Sequence, residues 1–213
     1  MEKIALLALA FLLGGTQPKE EKIEYTPSNA DAKQEAYNTS ATRLSDILHT
    51  DLSVRFDWGK QRLHGTATIV AKPYFHATDL LVLDAKGFDL YAITMGEKTL
   101  EYTYENNQIT IQLDRVYSRT ENYTINIDYT AKPNELKAEG SAAITDAKGL
   151  YFINPLGEED KPQQIWTQGE TESSSCWFPT IDKPNERMTQ NIAITVQERF
   201  TTLSNGLLVK SQK

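Results

Sequence analysis

The chain has 213 residues, 39% of them hydrophobic and 24% charged, a composition that is ordinary for a soluble globular protein. Its 22 Lys and Arg against 29 Asp and Glu give a formal charge of -7. This balance argues against a nucleic-acid partner, because such partners are bound by neutralising phosphates with basic side chains. The single cysteine, Cys176, excludes an intrachain disulfide, and three scattered histidines do not suit a structural zinc site.

The first residues have the pattern of a secretory signal peptide. An apolar run from Ile4 to Leu13 follows Lys3 and precedes Gly14, Gly15 and Thr16. The run is about half as long as the roughly 20 apolar residues that span a bilayer. A buried N-terminal helix is the alternative. We predict a signal peptide over residues 1–17, export to the periplasm or the extracellular space, and no membrane span after cleavage.

Residues 18–42 are predicted to form a polar linker. This stretch combines Pro18 and Pro27 with Lys, Glu, Ser and Asn, and it lacks the apolar side chains needed to offset chain entropy. The folded part of the chain is therefore expected over residues 43–213.

From residue 43 onward the hydropathy pattern is that of β-strands. Apolar side chains alternate with polar ones, which predicts strands with one buried face. The alternating or β-branched stretches are 52–56, 65–71, 109–113, 123–129 and 192–196. The short continuous apolar run 80–83 suits a strand that is covered on both faces. Such strands, separated by turn residues and without a long helical pattern, predict an all-β fold, an antiparallel sandwich or barrel.

Turn residues bound several of these strands. Gly87 and Gly149 each end an Asp-Ala-Lys-Gly sequence, which predicts strand-end turns in which glycine adopts a positive φ. Asn205-Gly206 is a hairpin signal, so residues 207–210 are expected to begin a returning strand. We therefore expect the β-domain to be truncated before its last strands.

An irregular polar stretch with aromatic residues, Ile165 to Pro184, is the candidate functional segment, since binding residues tend to lie on loops of a rigid β scaffold. It reads Thr-Gln-x-Glu, then after seven residues Phe-Pro, then Asp-x-Pro. The residues of this pattern are Thr167, Gln168, Glu170, Phe178, Pro179, Asp182 and Pro184.

This pattern resembles the N-terminal domain of aminopeptidase N-type zinc metallopeptidases, the group that includes leukotriene A4 hydrolase. The resemblance implies a saddle-shaped β-sandwich packed against a thermolysin-like catalytic domain. It implies that Glu170 binds the free α-ammonium of a peptide substrate and that Gln168 lines the pocket for the first side chain. The partners implied are the catalytic domain of the parent chain and the substrate's amino end.

The resemblance also implies that zinc belongs to the catalytic domain. The HExxH ligands and the Gly-x-Met-Glu-Asn segment of the family do not occur in this sequence. We therefore expect no cofactor and no catalytic activity in this chain alone. A stand-alone periplasmic sandwich that binds a peptide, glycan or partner protein, or a non-catalytic scaffold, is the alternative.

Other interpretations of the candidate segment stay open from the sequence. Glu170 could cap a turn or face solvent. If the segment is extended, Glu172 shares its face, and two carboxylates could suggest a glycosidase, which requires a defined separation. Cys176 is expected to be small and buried, and Trp166, Trp177 and Phe178 are expected in the core. Arg187 is expected to pair with Asp182 or Glu186.

Overall fold

The computed structural model describes residues 42–136 and 147–212. The predicted signal peptide and residues 18–41 of the predicted linker lie outside these ranges. The described chain forms eleven strands and two 3₁₀ turns, Pro133–Glu135 and Ser174–Cys176. The strands are β1 Ser45–Asp57, β2 Arg62–Pro73, β3 Thr78–Asp84, β4 Phe88–Met95, β5 Lys98–Thr99, β6 Tyr102–Glu105, β7 Gln108–Tyr117, β8 Tyr123–Ala131, β9 Leu150–Ile153, β10 Gln164–Thr167 and β11 Thr189–Thr195.

The strands form three sheets. A six-stranded sheet has the order β11-β1-β2-β8-β4-β5, a three-stranded sheet has the order β3-β7-β6, and β9 pairs with β10. The all-β sandwich prediction is confirmed. One pair differs from the antiparallel expectation, because β11 runs parallel to β1, from His49 opposite Thr189 to Arg55 opposite Thr195. A parallel pair requires a long connection, and here β2 to β10 lie along the chain between the two paired strands.

Alternating apolar side chains of the central strands form the core. In a strand, every second side chain points to the same face, so β2, β7 and β8 each bury one row of residues. Fully buried members of these rows are Leu63, Ala67, Ile69, Ile109, Ile111, Ile125 and Ile127. The other face of the large sheet is polar, as in the hydrogen bonds of Thr66 with Asp128 (2.8 Å) and Thr68 with Asn126 (2.7 Å).

The described residues after β11 contain no further strand. The side chains of Leu207, Leu208 and Val209 are 91%, 76% and 89% exposed, and a bend lies at Asn205-Gly206. The predicted returning strand is therefore wrong for this structure. A hairpin turn alone does not make a strand, because the backbone groups of the returning segment also need a neighbour to pair with.

Candidate functional site

The β9–β10 hairpin carries Gln168 directly beyond its last ladder pair. Thr167 lies opposite Leu150, and the Gln168 N–H continues the ladder by donating to the Gly149 carbonyl at 2.9 Å. Phe152 of β9 anchors the hairpin to the core, where its ring contacts Trp58 edge-on at a centroid distance of 5.9 Å. The Gln168 backbone is thus fixed to the folded core, and its side chain is half-buried.

Glu170 lies on the loop that follows, residues 169–176, and this loop packs directly on Gly149. Gly149 has a φ of +70°, which confirms its predicted turn role, and a Cβ at this position would lie 1.9 Å from the Ser173 carbonyl oxygen. The Ser173 N–H donates to the Gly169 carbonyl at 2.8 Å. Only glycine at position 149 lets the loop approach the hairpin this closely.

The loop is also held from its far side by the Asp-x-Pro part of the pattern. The Asp182 carboxylate accepts a hydrogen bond from the Ser175 N–H at 2.8 Å. The backbone N–H of Asp182 donates to the Asp84 carboxylate at 3.0 Å. Asp84 exchanges backbone hydrogen bonds with Thr180 as well, at 2.7 and 3.1 Å. Asp182 therefore has a structural role, in positioning the loop that carries Glu170.

The two carboxylates of this loop have different surroundings. The Glu172 carboxylate pairs with the Lys183 ammonium at 2.8 Å. Glu170 is exposed, and within the described ranges its carboxylate has no hydrogen bond or ion pair. The segment is a turn and not an extended strand, with Glu172 at a φ of +68°. The two carboxylates therefore do not share a strand face. Glu170 is the carboxylate available to a cationic ligand.

The neighbouring aromatic and thiol side chains fall into two groups. Cys176 and Phe178 are buried, at 0% and 5% exposure, as expected. Burial raises the pKa of the Cys176 thiol to about 11, which disfavours the reactive thiolate at neutral pH. The core assignment is wrong for Trp166, which is 44% exposed and stacks on Tyr151 at a centroid distance of 4.4 Å. Trp177 is partly buried.

The expected pairing of Arg187 is not formed with either predicted partner. Glu186 instead accepts from Arg43 at 2.8 Å and from the Ile47 N–H at 2.7 Å, which ties the start of β1 to the segment before β11. Asp182 is engaged by Ser175, as described above. Sequence reasoning could not identify Arg43 and Ile47 as the partners of Glu186, because both are more than 130 residues away along the chain.

No group of three or more His, Cys, Asp or Glu in the described part of the chain is arranged to hold a metal ion. The described residues also include no helix that is long and apolar enough to span a membrane.

M1 zinc metallopeptidases are among the solved structures with a similar fold. A two-domain M1 zinc metallopeptidase bound to L-arginine is 17% identical with a TM-score of 0.59, over 74% of this chain and 34% of that one. The M1 zinc metallopeptidase from Deinococcus radiodurans is 18% identical with a TM-score of 0.56, over 74% and 34%. Native yeast LTA4 hydrolase is 17% identical with a TM-score of 0.55, over 76% and 26%. The chain thus corresponds to 34% or less of the length of these three proteins.

A search of curated proteins gave no match. The family model described as the Peptidase M1 N-terminal domain matches residues 34–213, most of the sequence. This match agrees with the all-β sandwich, with the fold of the solved structures and with the pattern around Gln168 and Glu170. The chain therefore belongs to the Peptidase M1 N-terminal domain family.

Proposed function

We propose that this chain is the substrate-binding N-terminal domain of an exported zinc aminopeptidase, and that Gln168 and Glu170 contact the free amino end of the peptide. The observation that carries the proposal is the Glu170 carboxylate, exposed and without a partner among the described residues, on a loop held by Gly149 and Asp182. A positioned anion of this kind suits a cationic ligand, since it need not first break an existing ion pair.

A peptide's α-ammonium is a fitting ligand for this carboxylate. Charge-assisted hydrogen bonds are about twice as strong as neutral ones. A peptide whose amino group is acylated has no charge to offer, so the site selects chains with a free amino end. The neighbouring Gln168 amide offers both a donor and an acceptor for the first residue.

The remaining chemistry belongs to a second domain in this proposal. In such an enzyme the zinc ion, when bound, activates the water that attacks the peptide bond. The residues of this chain hold and orient the amino end, so that the first peptide bond lies at the reacting position. The apolar run Ile4–Leu13 supports the export part of the proposal.

The test is Glu170→Gln in the protein that contains this domain together with its zinc-bearing domain. Glutamine keeps the size of the side chain and removes its charge. Losing a hydrogen bond to a charged group costs about 1.5–3 kcal/mol, so kcat/KM on leucine anilide should fall about 10- to 100-fold. Glu158→Gln, at an exposed glutamate of the β9–β10 connection, is the matched control. An unchanged kcat/KM in Glu170→Gln would overturn the proposal.

A further inference from the structure

An exposed aromatic pair lies beside the proposed amino-end site. Trp166 on β10 and Tyr151 on β9 are directly opposite in the antiparallel register. Their rings stack with a centroid distance of 4.4 Å and an interplanar angle of 14°. Trp166 is 44% exposed and Tyr151 is partly exposed, so the pair presents an apolar surface to solvent.

The pair and Gln168 lie on the same face of the hairpin. Ile165 and Phe152, which are also opposite in register, point to the core face. Alternation then places Trp166 and Gln168 together on the outer face, about 7 Å apart along the strand. Gly149, the residue opposite Gln168, adds no side chain there.

Trp166, Gln168 and Glu170 thus follow one another along the chain from β10 into the loop, with Tyr151 stacked on Trp166. A peptide whose ammonium binds Glu170 carries its first side chain on the adjacent carbon atom. That side chain is the first part of the ligand that can reach a neighbouring aromatic surface. A flat surface of two stacked rings is suited to burying a large apolar or aromatic group.

We propose that Trp166 and Tyr151 form a wall of the pocket for the substrate's first side chain, and that they favour large apolar or aromatic residues there. This inference rests on the proposed function, because it takes the position of the amino end from Glu170. It assigns a specificity role to two residues that lie outside the Thr-Gln-x-Glu pattern.

The test compares phenylalanine and alanine anilides in the protein that contains this domain and its zinc-bearing domain. Trp166→Ala should lower the ratio of kcat/KM for the phenylalanine and alanine substrates about tenfold, because one large ring loses its contact. Trp166→Phe should keep most of the ratio. Leu156→Ala, at a 64% exposed side chain of the same hairpin connection, is the control and should leave the ratio unchanged.

An equal loss on both substrates in Trp166→Ala, or a lowered melting temperature with an unchanged ratio, would overturn the inference, since it would indicate a structural or interdomain contact. Glu170→Gln, measured alongside, separates the two proposals. It should lower both substrates equally and leave the ratio unchanged. Full activity in Glu170→Gln would refute the proposal that Glu170 binds the amino end. An unchanged ratio in Trp166→Ala would refute only the proposal that the aromatic pair lines the pocket for the first side chain.

Discussion

Gly149→Ala tests how the loop that carries Glu170 is held. Gly149 has a φ of +70°, and an added Cβ would lie 1.9 Å from the Ser173 carbonyl oxygen and 3.0 Å from the Cys176 Cβ. Neither contact involves the mobile end of a long side chain. The backbone of the loop therefore has to move if alanine is introduced.

The expected loss of stability has two parts. The left-handed conformation alone costs a residue with a Cβ about 1–2 kcal/mol. Moving Ser173 also disturbs its N–H bond to the Gly169 carbonyl and the Gln168 N–H bond to the Gly149 carbonyl, both of which are formed in the native loop. At about 1 kcal/mol for each hydrogen bond, the total is about 3–4 kcal/mol.

Gly96→Ala is the matched control. Gly96 also has a positive φ, +59°, but a Cβ there meets no atom within 4 Å. It should therefore lose only the conformational part, about 1–2 kcal/mol. Urea unfolding of the wild type and both variants measures the difference, provided that the m-values agree. Equal destabilisation by the two substitutions would refute the account of the loop packing.

Two further predictions concern a thiol and a histidine. Cys176 should react with a thiol reagent only after unfolding, because it is fully buried and its pKa is raised to about 11; rapid labelling of the native chain would contradict this. Burial, followed by the Arg55 charge, lowers the pKa of His64, so the unfolded chain binds the proton more tightly and stability should fall as the pH drops through about 6.5. His64→Asn, which can keep the contact with Thr130, should reduce this loss in melts between about pH 7.5 and 5.5. Identical pH profiles of the wild type and His64→Asn would contradict this prediction.

Most strands that alternation predicted have one row of buried side chains, whereas β11, predicted in the same way, has only partly buried ones. The rows in β7 and β8, such as Ile109 with Ile111 and Ile125 with Ile127, are examples of buried rows. The expectation that the run 80–83 is covered on both faces is wrong, because Leu80 is 40% exposed. β4 was missed because a register shift between Leu90 and Ala92 breaks its alternation and leaves Tyr91 65% exposed. The parallel position of β11 depends on the path of a long connection, which no local pattern specifies.

The candidate site was predictable only as a pair of residue positions. The Thr-Gln-x-Glu pattern indicated Gln168 and Glu170. Among the described residues Glu172 is paired and Glu170 is not, because the Lys183 ammonium pairs with Glu172 in the folded chain. The position of the loop depends on its contact with Gly149, which also forms only in the folded chain. The exposure of Trp166 was also missed, because an isolated tryptophan in a strand is usually buried.

The most direct test of the central claim is a binding cycle between Glu170 and the ligand's ammonium group. Phenylalaninamide and 3-phenylpropanamide differ only in the amino group, and their inhibition constants can be measured against the wild type and Glu170→Gln in the protein that contains both domains. We predict that the wild type prefers phenylalaninamide about 10- to 100-fold, and that this preference nearly disappears in Glu170→Gln while 3-phenylpropanamide binds as before. An undiminished preference in Glu170→Gln would show that another group binds the amino end, and would contradict the account.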